Sequence, residues 1–142
     1  MKIYIASSFS LREKVEHVCG VLEDAGHEIL VKWWTRFKLK QKFKVLEPDD
    51  FYAEPECEYA FNRDLQGIRD CGAVVFVASD EMRPYCGASV EIGMAFALDK
   101  PVYSIGIFQN SAMYLKIIQC NSINEIMLQL STLSMTSEEK EC

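Results

Sequence analysis

One glutamate stands alone in a run of small and apolar residues, "GASVEIGMAFALDKPV", at residues 87 to 102. The segment from 88 to 98 is apolar on every side, so we predict a buried helix there, with Glu91 in its first turn. The amino end of a helix favours a negative charge while burial raises a carboxyl pKa, so Glu91 is expected to be ionisable, poorly solvated and reactive. The alternative is a structural glutamate that complements the helix dipole or pairs with a neighbour.

A second carboxylate interrupts the apolar stripe of the preceding helix, predicted at 56–69. The residues expected to face inward there are Cys57, Ala60, Phe61, Leu65 and Ile68. Asp64 lies within that stripe rather than on the solvent-exposed face of the helix. Two carboxylates facing one crevice suffice for glycosyl transfer, because one can attack the anomeric carbon while the other manages protons. Alternatively, Asp64 caps a loop or holds a backbone amide.

Strands alternate with helices along the chain. The strands are predicted at 2–6, about 28–34, 72–78 and 101–107, with a short fifth strand within 114–120, and the helices at 11–25, 56–69, 88–98 and 122–133. This order predicts an α/β fold, a single doubly wound (flavodoxin-like or Rossmann-like) parallel five-stranded sheet with helices on both faces. Residues 1–134 are expected to form one domain with a lid-like loop at 35–55, and residues 135–142 a flexible tail.

Composition narrows the class of function. The chain has 142 residues, 49% of them hydrophobic, and a formal net charge of −6, which favours a small-molecule partner over nucleic acid. Its six cysteines are scattered without a CxxC pair, which indicates free thiols in a reducing cytoplasm rather than disulfides or a zinc site. No apolar run approaches 18 residues, so no membrane span is expected, and neither a metal nor a cofactor is required.

In doubly wound sheets, ligands bind in the crevice beyond the carboxyl ends of the strands. That rule selects four segments, namely "SSFS" at 7–10, "WWTR" at 33–36, "SDEMRPYCGAS" at 79–89 and "GIFQNSAM" at 106–113. Asp80 lies in the third of these segments and is a candidate ligand contact. A turn-forming role for Asp80 is the alternative.

Residues 32 to 44, "KWWTRFKLKQKFK", combine six basic residues with four aromatic ones in a chain that is acidic elsewhere. Trp33 and Trp34 are candidates to wall a nucleobase by stacking, and the lysines to attract a phosphorylated ligand. The alternative is one tryptophan in the core, the other at an oligomer contact, and a solvated row of lysines.

Three stretches resemble one enzyme family: "KIYIASSF" at 2–9, "NRDLQGIRDCGAVVFV" at 62–77 and "GASVEIGMAFALDKPV" at 87–102. In them the chain is similar, over most of its length, to the nucleoside 2-deoxyribosyltransferases and the related nucleoside 5'-monophosphate N-glycosidases. The resemblance implies that Glu91 is the nucleophile that forms a covalent (deoxy)ribosyl-enzyme, and that Asp64 handles protons and positions the leaving base. It also implies that Tyr4 lies near the sugar and the nucleophile, and that Gly87 lets the backbone approach the sugar.

The two branches of this family differ at the 5' end of the sugar, where the resemblance implies serines and basic residues that hold a phosphate. Ser7, Ser8 and Arg12 follow the first strand, and Ser111 resembles a serine that a neighbouring subunit supplies. A plain helix-capping role for Ser8 is the alternative. Tyr85 and Cys86 replace the small or acidic residues usual before the glutamate, and the transferases' carboxyl-terminal extension has no counterpart here.

The expected activity is cleavage of the N-glycosidic bond of a (2'-deoxy)nucleoside or its 5'-monophosphate, with water or a second base as acceptor. The resemblance also implies a homodimer or larger homo-oligomer with shared active sites. Two other functions stay open: a nucleotide-binding module without chemistry, and a TIR-like glycohydrolase of NAD or cyclic nucleotides. The module lacks a G-x-G-x-x-G signature and leaves both carboxylates unexplained.

Overall fold

The computed structural model describes residues 1–79, 85–106 and 114–138 of the chain. The strands are β1 (Lys2–Ala6), β2 (Glu28–Ile29), β3 (Ala73–Val77), β4 (Val102–Ile105) and β5 (Ile118–Cys120). The helices are α1 (Arg12–Asp24), α2 (Phe37–Val45), α3 (Pro48–Tyr52), α4 (Pro55–Asp70), α5 (Cys86–Ala97) and α6 (Ile123–Glu138). Single 3-10 turns lie at Phe9–Leu11, Trp33–Thr35 and Tyr114–Lys116.

The five strands form one parallel sheet in the order β2-β1-β3-β4-β5. This is the doubly wound order in which the chain reverses its direction of travel between β1 and β3, and the predicted fold class is confirmed. At such a reversal the loops after the two strands diverge, so a crevice opens above their carboxyl ends.

Alternation along the central strands divides the core into two layers. Ile3 and Ile5 of β1 pack with α1 and α6 on one face, whereas Tyr4 of β1 and Phe76 of β3 pack with α4 and α5 on the other. All five residues of β3 are buried, as expected of a central parallel strand covered on both faces. Tyr4 therefore enters the layer that carries Glu91 and Asp64.

Strand β2 is shorter than predicted and ends at Ile29 instead of about residue 34. Leu30 N still donates to Ile3 O at 3.1 Å, but the next acceptor on that edge of β1, Ile5 O, is bonded at 2.6 Å by the indole Nε1 of Trp33. A side chain thus replaces the backbone donor that would have extended the strand, and the chain turns at Trp33–Thr35.

The segment 35–55 was expected to be irregular, and it contains the short helices α2 and α3 instead. Lys42 of α2 makes ion pairs with Glu54, at 2.6 Å, and with Glu56, both at the start of α4. At the other end of the chain, α6 continues to Glu138 and so extends into the segment 135–142 that was predicted to be a tail. Residues 139–142 lie outside the described residues.

Two inward-facing predictions are wrong. Phe61 of α4 is 58% exposed, and Val90 of α5 is 59% exposed although α5 was expected to be buried on all sides. Both helices lie on the outside of the sheet, so each buries only the side that meets the strands or its neighbour.

Cys19, Cys57, Cys71 and Cys120 form no disulfide with one another. Within those segments no helix is both long and apolar enough to cross a membrane. The same residues include no group of three or more His, Cys, Asp or Glu side chains arranged to hold a metal ion.

Candidate active site

A pocket of about 730 Å³ opens where β1 and β3 end and α4 and α5 meet, a size suited to a small-molecule ligand. Its charged lining residues are Glu58, Asp64, Glu91, Arg36 and Lys40. The aromatic lining residues are Phe9, Trp33, Tyr52 and Phe61. The pocket thus combines apolar faces with three carboxyl groups and two cationic side chains.

Glu91 is held by a hydrogen bond from the middle of β1. The Tyr4 hydroxyl donates to Glu91 Oε1 at 2.8 Å, and Tyr4 itself is fully buried. The pKa of Glu91 is raised to about 8: burial is the main cause and the charge of Asp64 adds to it, while the Tyr4 hydrogen bond and Arg36 oppose the rise. Burial and the adjacent Glu91 raise the pKa of Tyr4 far above its ordinary value, so its hydroxyl stays a proton donor.

Helix α5 begins at Cys86, two residues before the predicted start, so Glu91 lies in its second turn and not in its first. The dipole of a helix acts mainly within the first turn, so its support for an ionised Glu91 is weaker than expected. Stabilisation of the charge falls instead to the Tyr4 hydroxyl and to Arg36, which both lower the pKa of Glu91.

Asp64 of α4 is the second carboxylate of the pocket. Arg36 Nη1 donates to Asp64 Oδ2 at 2.9 Å and to the backbone oxygen of Ala60 at 3.4 Å. Within the described part of the chain, the buried Oδ1 of Asp64 has no hydrogen-bond partner. Burial raises the pKa of Asp64, and the ion pair with Arg36 opposes that rise.

A glycine brings α4 close enough to β1 for these groups to meet. A Cβ built on Gly67, one turn after Asp64, would lie 2.6 Å from Val31 Cγ2 and 3.0 Å from Tyr4 Cδ2. Any larger residue would push α4 away from the Tyr4 ring. Gly67 therefore sets the distance between the helix that carries Asp64 and the strand that carries Tyr4.

Ser7 and Gly87 also line the pocket. The Ser7 hydroxyl donates to Val77 O at 2.6 Å and so ties the end of β1 to the end of β3. A Cβ on Gly87 would meet nothing within 4 Å, so the first turn of α5 faces open space there. This is the edge at which a ligand can approach the backbone.

The two tryptophan side chains lie in different environments. Trp33 lines the pocket, where its indole is fixed by the bond to Ile5 O and stands 6.5 Å from the ring of Phe9. Trp34 is 3% exposed and packs in the core beneath α1, edge-on to Trp33. The placement of Trp34 corrects the expectation that both rings wall a base.

Two further candidates, Ser8 and Arg12, do not line the pocket. Ser8 caps the turn that follows β1, accepting from Ser10 N at 3.4 Å, which is the alternative role expected for it. Arg12 pairs with Glu13 at 3.6 Å and is not among the pocket-lining residues. Asp80 and Ser111 lie outside the described residues.

The sequence reasoning missed Arg36, Tyr52 and Glu58, all of which line the pocket. Arg36 belongs to "WWTR", a segment already selected by the crevice rule, so its position next to the tryptophans was the available signal. Two of the lysines expected to attract a ligand have identifiable contacts. The Lys40 ammonium lies 5.7 Å from the Phe9 ring centre, whereas Lys42 forms ion pairs with Glu54 and Glu56.

Comparisons with known proteins bear on the family and the fold of this chain. Residues 3–137 match the sequence profile of the family described as nucleoside 2-deoxyribosyltransferase. Among solved structures, the chain is similar to the CMP N-glycosidase BcmB from Clostridium botulinum, with 15% identity, a TM-score of 0.55, and coverage of 92% of this chain and 99% of that one. A 2-deoxyribosyltransferase from Leishmania mexicana matches with 21% identity, a TM-score of 0.48, and coverage of 79% and 68%. No sequence among the curated proteins matches. The chain therefore belongs to the nucleoside 2-deoxyribosyltransferase family, whose enzymes act on the N-glycosidic bond of nucleosides.

Proposed function

We propose that this enzyme cleaves the N-glycosidic bond of a (2'-deoxy)nucleoside or its 5'-monophosphate through a covalent glycosyl-enzyme on Glu91. The observation that carries the proposal is the Tyr4–Glu91 hydrogen bond at the base of a pocket that also holds Asp64. A carboxylate that is shielded from water, and that accepts a hydrogen bond at only one of its oxygens, is suited to attack an anomeric carbon with the other.

The chemistry proceeds in two displacements. Tyr4 occupies Oε1 of Glu91, so Oε2 forms the bond to C1' while the C1'–N bond breaks and its electron pair goes to the base. The departing base takes a proton from the carboxyl group of Asp64, which is left as a carboxylate. A water molecule or the nitrogen of a second base then attacks C1' and gives its proton to the Asp64 carboxylate, while the bond between C1' and Oε2 breaks and restores the Glu91 carboxylate.

The aromatic walls supply the binding face for the base. Trp33 offers a ring fixed by its own hydrogen bond, and Phe9 and Tyr52 line the same pocket. Stacking on such faces tolerates different bases, whereas the carboxylates act on the sugar and the leaving group. Ser7 lies at the edge of the pocket, where a 5'-hydroxyl or phosphate is expected.

The segment 35–55 is proposed to act as a lid. Leu39 and Lys40 of α2 and Tyr52 of α3 line the pocket, and Lys42 fastens α2 to the start of α4. Hydrogen exchange tests this role: amides of 37–52 are expected to gain protection when a nucleoside monophosphate binds. Unchanged exchange there would contradict it.

Release of free base from a panel of nucleosides, 5'-monophosphates and NAD, with and without an acceptor base, tests the proposed activity. The unsubstituted chain is expected to release a nucleobase, and Glu91→Gln to abolish release, because an amide cannot form the glycosyl ester. Glu28→Gln, an exposed change on β2, is the matched control. Undiminished release by Glu91→Gln would refute the nucleophile.

The same panel separates the alternative functions. Nicotinamide release from NAD without release from nucleosides would favour a TIR-like glycohydrolase. Binding without any release would favour a nucleotide-binding module. Exchange onto an acceptor base distinguishes a transferase from a hydrolase.

We further propose a homodimer. Exposed aromatic and aliphatic residues lie on α4 and α5, which pack against each other: Tyr59 is 65% exposed, Phe61 58% and Val90 59%. Such residues are typical of a surface that another subunit covers. Sedimentation at low and high protein concentration tests this, and a monomer throughout would contradict it.

The free thiols support a location in a reducing compartment, which we propose is the cytoplasm. Cys19, Cys71 and Cys120 are buried and unpaired with one another. Because disulfides are rare in the cytosol, free cysteines are the expected state there. Fractionation of cells that produce the protein tests this location, and recovery outside the cytoplasmic fraction would contradict it.

A further inference from the structure

Arg36 lies at the junction between the turn Trp33–Thr35 and helix α2 and reaches across to α4. Its own backbone is fixed, because Arg36 N donates to Trp33 O at 3.1 Å and Lys40 N donates to Arg36 O at 3.2 Å. The side chain is about three-quarters buried, with 24% of its surface exposed. An anchored backbone and a mostly buried side chain leave the guanidinium little freedom of position.

A single nitrogen of Arg36 makes both contacts with α4. Nη1 donates to Ala60 O and to Asp64 Oδ2, two acceptors that lie one turn apart on the same helix. The Arg36 guanidinium makes no other hydrogen bond within 1–79, 85–106 and 114–138. The Arg36 side chain therefore contributes to the fold mainly by holding Asp64 in position.

The two carboxylate oxygens of Asp64 differ in their hydrogen bonding. Oδ2 is bonded by the guanidinium, whereas the buried Oδ1 has no partner among the described residues. A buried carboxylate with one oxygen unpaired would otherwise tend to hold a proton or to rotate. The hydrogen bond from Arg36 is the contact that fixes the rotamer of Asp64.

We propose that Arg36 is a positioning residue of the active site, which holds the carboxyl group of Asp64 in one orientation beside Glu91. The inference rests on the proposed function, since it assigns to Arg36 a task in the chemistry of the two carboxylates. Asp64 faces Tyr4 of β1, Glu91 of α5 and Arg63 of its own helix in addition to Arg36. Arg36 is the cation of this group that makes a direct ion pair with Asp64.

The charges support the same assignment. Arg36 lowers the pKa of Asp64 and also that of Glu91, while Asp64 and Glu91 disfavour each other's ionisation. Removing the guanidinium is therefore expected to raise the pKa of both carboxyl groups. The proposed nucleophile would then ionise only at higher pH.

Carboxyl ¹³C NMR titration of Asp64 tests the inference without any need for turnover. Arg36→Gln is expected to raise the Asp64 midpoint, Arg36→Lys to restore part of the difference, and Arg69→Gln to leave it unchanged, because Arg69 is an exposed residue at the far end of α4. An Asp64 midpoint unaffected by Arg36→Gln would overturn the proposal.

A kinetic readout separates positioning from plain support of the fold. Arg36→Gln is expected to lower kcat for base release about tenfold or more with little change in KM, and to move the acid limb of the pH profile upward. A merely structural role would lower the folded fraction and leave the pH profile in place. If the unsubstituted chain releases no base, the proposed function fails, while the NMR titration still decides on Arg36.

A measurement on the unsubstituted chain covers the case in which Arg36→Gln does not fold. The ¹⁵Nη resonance of Arg36 is expected to titrate with the same midpoint as the Asp64 carboxyl group, because the two are bonded directly. Asp64→Asn is expected to abolish that transition. Separate midpoints, or a transition that survives Asp64→Asn, would overturn the proposal.

Discussion

The hydroxyl of Tyr4 donates to Oε1 of Glu91 at 2.8 Å and thereby joins the middle of the sheet to helix α5 across 87 positions of sequence. Tyr4 is fully buried, and its pKa is raised by burial and by Glu91, so it cannot serve as a charged partner. It acts as a fixed donor that stabilises the ionised glutamate. The position of Glu91 is therefore set by the core of the protein and not by a mobile loop.

Tyr4→Phe is expected to raise the pKa of Glu91, because the hydrogen bond that favours its ionised form is lost. The acid limb of the pH profile for base release should move to higher pH, with kcat near neutral pH reduced about tenfold. Tyr103→Phe is the matched control, since Tyr103 is a buried tyrosine in the opposite core layer. An acid limb that stays in place in Tyr4→Phe would contradict this account.

Part of this site could be predicted from sequence because local patterns identify it. Glu91 and Asp64 interrupt apolar stripes of helices, so each was visible from its own helix alone. The ion pair between Arg36 and Asp64 spans 28 positions, so although the crevice rule selects "WWTR", no local pattern shows that its arginine reaches Asp64. The alternation of strands and helices predicted a parallel, doubly wound sheet, whereas the end of β2 depends on a side-chain bond from Trp33 that periodicity cannot show.

Glu91→Gln is expected to stabilise the protein, and increasingly so as the pH rises. The folded state keeps the Glu91 proton up to about pH 8, whereas the unfolded chain loses it near the ordinary value of 4.5. The folded state thus binds more protons between these limits, so the free energy of unfolding of the unsubstituted chain falls across that window. The variant escapes this loss and should gain roughly 1–3 kcal/mol by pH 8.

Urea unfolding at several pH values between about 5 and 8 measures the difference. Glu28→Gln removes an exposed carboxylate at the edge of the sheet and should show no difference that grows with pH. A constant offset between Glu91→Gln and the unsubstituted chain would show that Glu91 ionises at an ordinary pH.

Replacing the two tryptophans should have opposite consequences. Trp33→Leu removes a pocket wall and is expected to raise KM by about tenfold, corresponding to about 1–3 kcal/mol of lost base stacking. Trp34→Leu removes a ring from the core and should lower the free energy of unfolding by about 2–4 kcal/mol while leaving KM near its original value. Steady-state kinetics with urea unfolding of both variants decide the matter. A raised KM in Trp34→Leu alone would contradict the assignment of Trp33 to the base.

Gly67→Ala is expected to slow base release strongly, although it adds only one methyl group. Its Cβ would lie 3.0 Å from Tyr4 Cδ2 and 2.6 Å from Val31 Cγ2, so α4 or the Tyr4 ring must shift, and the distances among Tyr4, Glu91 and Asp64 change with it. A displacement of about 1 Å at such a site can cost about a hundredfold in rate.

Gly20→Ala is the matched control, because nothing lies within 4 Å of its Cβ on the exposed side of α1. That change should stabilise the helix by about 0.5–1 kcal/mol and leave kcat unaltered. Stability and kcat measured on both variants distinguish the two effects. Full activity in Gly67→Ala would mean that the contact between α4 and Tyr4 is not what sets the geometry of the carboxylates, and the position of Asp64 would then depend on its ion pair with Arg36 alone.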